Sequence, residues 1–177
     1  MVIDFSTIDA EQLATLVCET LAKNDVEAVL VGGACVTIYS ENRYQSHDLD
    51  FATYHDLNKV GSVLKKLGFE RKGKYFARAD CSFFIDLVNP PIAVGEEPVK
   101  KFERLKSALG TLVLLTPVDC VKDRLAAYFH WNDRQALEQA LLVSAHCSVD
   151  LEEIKEWSRK EGHLFKYKEF LDRFSNN

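Results

Sequence analysis

Long apolar stretches are missing from this chain: no run reaches the roughly 18 residues a membrane span needs, so a bundle of spanning helices is excluded. An excess of basic residues is missing too. Lys and Arg number 22 against 27 Asp and Glu, a formal net charge of −5. That disfavours a protein whose main task is gripping phosphate backbones, because such grip scales with Lys and Arg contacts; local basic patches remain open. Residues 1–7 hold Asp4 and no Lys or Arg, so the positive n-region of a secretory signal is absent. No Cys-x-x-Cys spacing occurs, and the cysteines (Cys18, Cys35, Cys81, Cys120 and Cys147) are odd in number. Both facts argue against a disulfide framework or a zinc ribbon. The expectation is a soluble, cytoplasmic protein with no membrane partner and with small buried thiols.

What is present suits one ordinary domain. The 177 residues are 47% hydrophobic and 28% charged, near globular averages, which excludes disorder and collagen-like or low-complexity architecture. Residues 9–24 carry Leu13, Leu16, Val17 and Leu21 at helical spacing, with Asp9 and Gln12 placed for a capping box. Residues 26–31 form a short apolar run ended by Gly32-Gly33, which reads as a buried strand entering a tight turn. A short helix over 34–40, a strand over 47–52 and a helix over 56–67 closed by Gly68 follow. Residues 69–71 and 74–79 read as hairpin arms around Lys72-Gly73, and 82–88 as another apolar strand. Residues 95–98 read as a loop, 99–109 as a mixed basic segment, and 112–115 as one more strand. Beyond Thr116-Pro117 the chain reads as helical: Thr116 suits an N-cap and Pro117 the first helical position. Further helices are expected over 133–145, 150–160 and 163–174. The expected division is an α/β core over 1–116 and a helical extension packed on it over 117–177, without internal repeats.

Three features bear on chemistry. Val31-Gly32-Gly33 at a strand end lets backbone approach a ligand and leaves amides free for phosphate, although Gly-Gly by itself is most often a plain turn. In Asp48-Leu49-Asp50-Phe51, strand alternation puts both carboxylates on one face. Two such charges at about 4 Å repel by roughly 4 kcal/mol at an effective dielectric of about 20. A cation offsets this, and hard oxygen ligands suit Mg²⁺, which binds through one or two carboxylates plus substrate phosphates. The plain alternative is a solvated edge strand. Third, Asp86 sits alone inside the apolar run Phe84-Ile85-Asp86-Leu87-Val88, where an unpaired charge is expensive; a metal or a buried salt bridge would satisfy it.

In this order the three features resemble the DNA polymerase β-like nucleotidyltransferase superfamily, in particular its minimal bacterial members and the AbiEii-type toxins. The likeness runs from Val29-Leu30-Val31-Gly32-Gly33, through Arg43 to Ser46 and Asp48-Leu49-Asp50-Phe51, to Ile85-Asp86-Leu87. The stretch 116–126 resembles the helix after the core in those proteins, with Arg124 before Leu125 as the basic residue. The likeness covers residues 26–135. The gap from Gly33 to Asp48 is long for the family. The later Lys-Asp pair of many AbiEii-like chains has its nearest equivalent in Asn132-Asp133-Arg134.

The resemblance implies a mixed β-sheet flanked by helices, and transfer of a nucleoside monophosphate from an NTP to a hydroxyl with release of pyrophosphate. It implies that Asp48 and Asp50 hold Mg²⁺ on the triphosphate and that Asp86 completes a second metal site, Mn²⁺ being an alternative ion. Gly32, Gly33 and Ser46 would meet phosphate oxygens, and Arg43 and Arg124 would neutralise the leaving pyrophosphate. The acceptor stays open between tRNA, a protein and a small molecule such as an aminoglycoside. Two rivals stand beside this: a catalytically silent nucleotide-binding module, with an antitoxin as partner in a toxin–antitoxin pair, and an α/β interaction protein whose acidic cluster is incidental. The basic stretch Lys65, Lys66, Arg71, Lys72, Lys74 and Arg78, interleaved with Phe69, Tyr75 and Phe76, reads as a solvated surface or an RNA-acceptor groove. Arg124 and His130 have a spacing near that of HEPN ribonucleases, but Leu125 follows the Arg where those enzymes carry a polar residue. Trp131 and Trp157 read as helix packing.

Overall fold

The computed structural model of the chain describes residues 3–176. Helix α1 (Ala10–Ala22) opens with the expected capping box: the Asp9 carboxylate accepts the Gln12 N–H at 2.8 Å, and the Gln12 side chain accepts the Asp9 N–H at 3.2 Å. Its apolar face buries Leu13, Val17 and Leu21. Strand β1 (Val29–Val31) is shorter than the apolar run, because the Val26 N–H turns back to the Leu21 carbonyl and closes the helix end. Helix α2 (Gly33–Tyr39), strand β2 (Asp48–Ala52) and helix α3 (Leu57–Lys66) follow, the last capped by Asp56. The hairpin β3 (Glu70–Lys72) and β4 (Tyr75–Ala77) turns at Gly73, whose φ of 67° favours glycine. Strand β5 is Phe84–Val88.

Two segments depart from expectation. Residues 95–98 are half of a small hairpin of β6 (Ala93–Val94) and β7 (Glu97–Pro98), and the basic segment contains strand β8 (Phe102–Ser107), paired antiparallel with β9 (Gly110–Leu115). Phe102-Glu103-Arg104-Leu105-Lys106-Ser107 lacks strict alternation because it is an edge strand, so pairing with β9 rather than burial sets its conformation. Four helices complete the chain: α4 (Pro117–Trp131), α5 (Arg134–His146), α6 (Leu151–Lys160) and α7 (Leu164–Ser175).

Seven strands form one mixed sheet in the order β3-β4-β5-β2-β1-β9-β8, with β2/β5 and β1/β9 parallel and the rest antiparallel. Alternation separates its faces. Leu30, Leu49, Phe51, Phe76 and Ile85 are buried, and register aligns Leu30 with Phe51, and Leu49 with Ile85 and Phe76. Helix α3 packs here, and a Cβ added at Gly61 would stand 3.3 Å from the Phe76 ring, a tight contact that the ring must yield to by a few tenths of an ångström. Helix α1 lies against β9 and α3. The buried apolar side chains run as one cluster from the sheet into the later helices, through Leu125, Phe129, Trp157 and Phe170.

One buried polar centre ties these parts. Lys122 of α4 is 1% exposed, and its Nζ lies 2.7 Å from Glu153 of α6, 3.2 Å from Glu97 of β7 and 3.8 Å from Asp119. Burial lowers the Lys122 pKa, but the bonds to Glu153 and Glu97 outweigh it and the net direction is upward.

Candidate active site

The face opposite the core carries the acidic residues. Register sets Asp50 of β2 directly beside Asp86 of β5, with Asp48 two residues along on the same face. On the other side Asp50 is paired with Val31, the residue before Gly32. Gly32 has φ 70° and ψ −150°, and a Cβ added there would stand 2.7 Å from Asp50 Oδ2. Both conformation and close approach therefore require glycine. At Gly33 a Cβ would meet Ser46 Oγ at 3.3 Å. Ser46 is held in turn: its N–H donates to Thr37 Oγ1 at 3.0 Å and its hydroxyl to the Asp48 carbonyl at 3.0 Å. Gly32, Gly33, Ser46, Asp48, Asp50 and Asp86 thus meet where β1, β2 and β5 lie side by side.

Electrostatically this cluster is only partly compensated. Among the described residues none of the three carboxylates forms an ion pair; Asp86 accepts the Leu87 N–H at 2.8 Å. Burial first, then the charges of Asp86 and Asp48, push the Asp50 carboxyl up to about 6. Arg124 acts the other way on Asp50, and Asp123 adds to the rise. Arg124 lies on α4, ion-paired with its neighbour Asp123 and donating to Gln139 Oε1 at 3.3 Å. Burial lowers its pKa, Asp123 more than offsets this, and the net direction is upward. Arg43, by contrast, is exposed in the α2–β2 connection and has no ion pair among the described residues.

The donors are of the type a hard divalent cation takes: carboxylate oxygens on one face, where burial and mutual repulsion raise the Asp50 pKa and Arg124 offsets this only in part. Among the described residues no group of three or more His, Cys, Asp or Glu side chains is placed to hold a metal ion between them.

Comparison with solved structures adds the fold. The chain superposes on the antibiotic-resistance factor ANT(2'')-Ia, a nucleotidyltransferase, with a TM-score of 0.56 at 10% identity, over 99% of this chain and 100% of that one. The fold is that of a nucleotidyltransferase. No family model matches the chain, and no curated protein matches its sequence.

Several surroundings of the site differ from the sequence reading. The basic, aromatic-interleaved stretch divides: Phe69 and Phe76 belong to the core, while Tyr75 is exposed. Tyr75 stands opposite Asp86 in register, a position invisible without strand pairing. Phe84 lies opposite Asp48 on the same face; its signal was the two-residue offset from Asp86. Arg78 is occupied, donating to Asp80 and to the Leu67 carbonyl. Trp157 packs as expected, stacked 5.5 Å from Phe129, but Trp131 is 78% exposed and borders a cavity of about 610 Å³ with Asp123, Arg124 and His130. The cysteines are free thiols, three buried and two half-buried. Burial raises the pKa of each, which keeps them protonated and poorly reactive at neutral pH. No helix among the described residues is long and apolar enough to cross a membrane.

Proposed function

We propose that this chain transfers a nucleoside monophosphate from an NTP to an acceptor hydroxyl and releases pyrophosphate. The observation that carries this reading is the in-register pair Asp50–Asp86 beside Gly32, three residues that the sequence separates and the sheet joins. The nucleotidyltransferase fold supports it.

Asp48, Asp50 and Asp86 would hold Mg²⁺ or Mn²⁺, which when bound supplies Lewis-acid neutralisation of the triphosphate. The backbone at Gly32 and Gly33 admits a phosphate where any side chain would collide with Asp50 or crowd Ser46. Rotation of the Ser46 hydroxyl away from the Asp48 carbonyl frees a donor for a phosphate oxygen. The acceptor oxygen forms a bond to the α-phosphorus as the bond from that phosphorus to the β-bridging oxygen breaks. Pyrophosphate leaves with the electron pair, and the hydroxyl proton passes to the Asp86 carboxylate and on to solvent. Arg43, exposed and without an ion pair among the described residues, can swing toward the departing charge. Arg124 contributes its field from a fixed position beside Asp123.

Calorimetric titration with each NTP tests this. Binding in Mg²⁺ should be largely lost in EDTA and reduced in Asp50→Asn. Label on the α-phosphate, and not on the γ-phosphate, should pass to an acceptor in cell extract. Equal NTP affinity with and without the metal would overturn the reading.

A further inference from the structure

The two edges of the sheet are unequal. Strand β3 ends one side with 3 residues, and its Lys72 stands 3.9 Å from Glu70. Strand β8 ends the other side with 6, without a proline, and packs chiefly on β9. The Ala108-Leu109 loop closes on Ser107 and Gly110, and the ladder runs back from there to Phe102 and Leu115. Alternation from that closing pair turns the N–H and C=O of Glu103 and Leu105 toward β9, and those of Phe102, Arg104 and Lys106 away from it. The Arg104 N–H agrees: it donates to the Glu103 carboxylate at 2.9 Å. An edge of this kind is a template for one more strand.

Its charge says which strand. Residues 100–106 carry Lys100, Lys101, Arg104 and Lys106 against Glu103 alone, in a chain whose net charge is −5. None of these cations forms an ion pair among the described residues. Arg104 and Lys106 are exposed and, two residues apart, share one face. We infer that β8 is a docking edge for an extended acidic segment of a partner protein, which adds an eighth strand to the sheet. Main-chain bonds to Phe102, Arg104 and Lys106 supply the affinity, and alternate side chains the selectivity. Glutamates set opposite Arg104 and Lys106 in an antiparallel register exchange both main-chain bonds with them and bring opposite charges together. A second copy of the chain is the wrong occupant, since β8 laid against β8 sets cations against the same cations. The inference does not rest on the transferase reading, because β9 and β1 stand between this edge and the strand of Asp48 and Asp50.

The test uses the full chain and a dye-labelled peptide of alternating valine and glutamate, about nine residues long, enough to span β8. Anisotropy should show binding that weakens with salt. Methylating the peptide's glutamate nitrogens keeps every charge but removes the donors that face β8, and should weaken binding by about tenfold or more. Methylating the valine nitrogens, which face solvent, should leave it unchanged. Hydrogen exchange followed by NMR should slow at the Arg104 and Lys106 amides on binding, while Glu103 and Leu105, already in the ladder, stay as they were. Arg104→Glu with Lys106→Glu should abolish binding, with a thermal melt to confirm that the variant is folded. No binding, or equal binding of the two methylated peptides, overturns the docking edge. So does binding that leaves the Arg104 and Lys106 amides exchanging as before, which would mean that any polyanion serves. A chain that sediments as a dimer and becomes a monomer in the double variant also overturns it, by making a second copy the occupant.

Discussion

The two faces of β2 and β5 differ by one residue of offset and by almost everything else. Leu49, Phe51 and Ile85 are wholly buried, each closed in by the helices of the core. Their neighbours Asp48, Asp50 and Asp86 gather like charges that Arg124 offsets only in part and that no ion pair neutralises among the described residues. Stability is concentrated on one face, and electrostatic strain on the other. Substitutions one position apart should therefore act in opposite directions.

The largest effect belongs to the core face. Phe51→Ala should destabilise the protein by about 3–5 kcal/mol, read by urea unfolding, because it removes a fully buried ring and leaves a cavity. Next comes the joint between the faces. Gly32→Ala forces a Cβ into a left-handed conformation and against Asp50 Oδ2. It should cost about 1–3 kcal/mol and also abolish metal-dependent NTP binding in calorimetry.

Asp50→Asn should do the reverse of Phe51→Ala. The folded Asp50 carboxyl, at about 6, lies above its ordinary 3.8. Its contribution to stability is thus complete below the lower value and lost as pH rises through the upper one. At pH 7.5 in EDTA the variant should be more stable than wild type by about 1–3 kcal/mol, while near pH 4 the two should converge; thermal melts at both pH values decide it. Equal stability at pH 7.5 would mean that the acidic face carries no strain. The smallest effect is that of Lys72→Ala, on the same face but two strands away from Asp86. It should change stability by less than about 0.5 kcal/mol and leave NTP binding intact.

The acidic face was legible in the sequence to an unusual degree because its signals are local. Asp48 and Asp50 are two residues apart, Gly32-Gly33 ends an apolar run, and Asp86 interrupts another. The capping box of α1 was legible for the same reason. Illegible were relations made only by pairing. Tyr75 opposite Asp86 depends on the register of a short hairpin. Strand β8 has no burial pattern of its own to announce it. The clasp around Lys122 draws Glu97 and Glu153 from separate elements, and only Asp119, three residues before it, was near in sequence. Trp131 misled because a large aromatic at a helix end ordinarily packs.

The parallel pairing of β2 with β5 has a consequence for how the protein comes to life on the ribosome. Parallel neighbours cannot be joined by a tight turn, so α3 and the β3–β4 hairpin must be laid down before Asp86 reaches Asp50. Strand β1 waits longer still for its outer neighbour β9, which is among the last strands synthesised. Such distant partners meet slowly, and β2 and β5 bring like charges together as they meet. A nascent or truncated chain ending before Asp86 carries the Gly-Gly turn and the first two carboxylates but no opposed pair. The opposed carboxylate pair therefore assembles late, and an abandoned translation product that stops short of β5 lacks it.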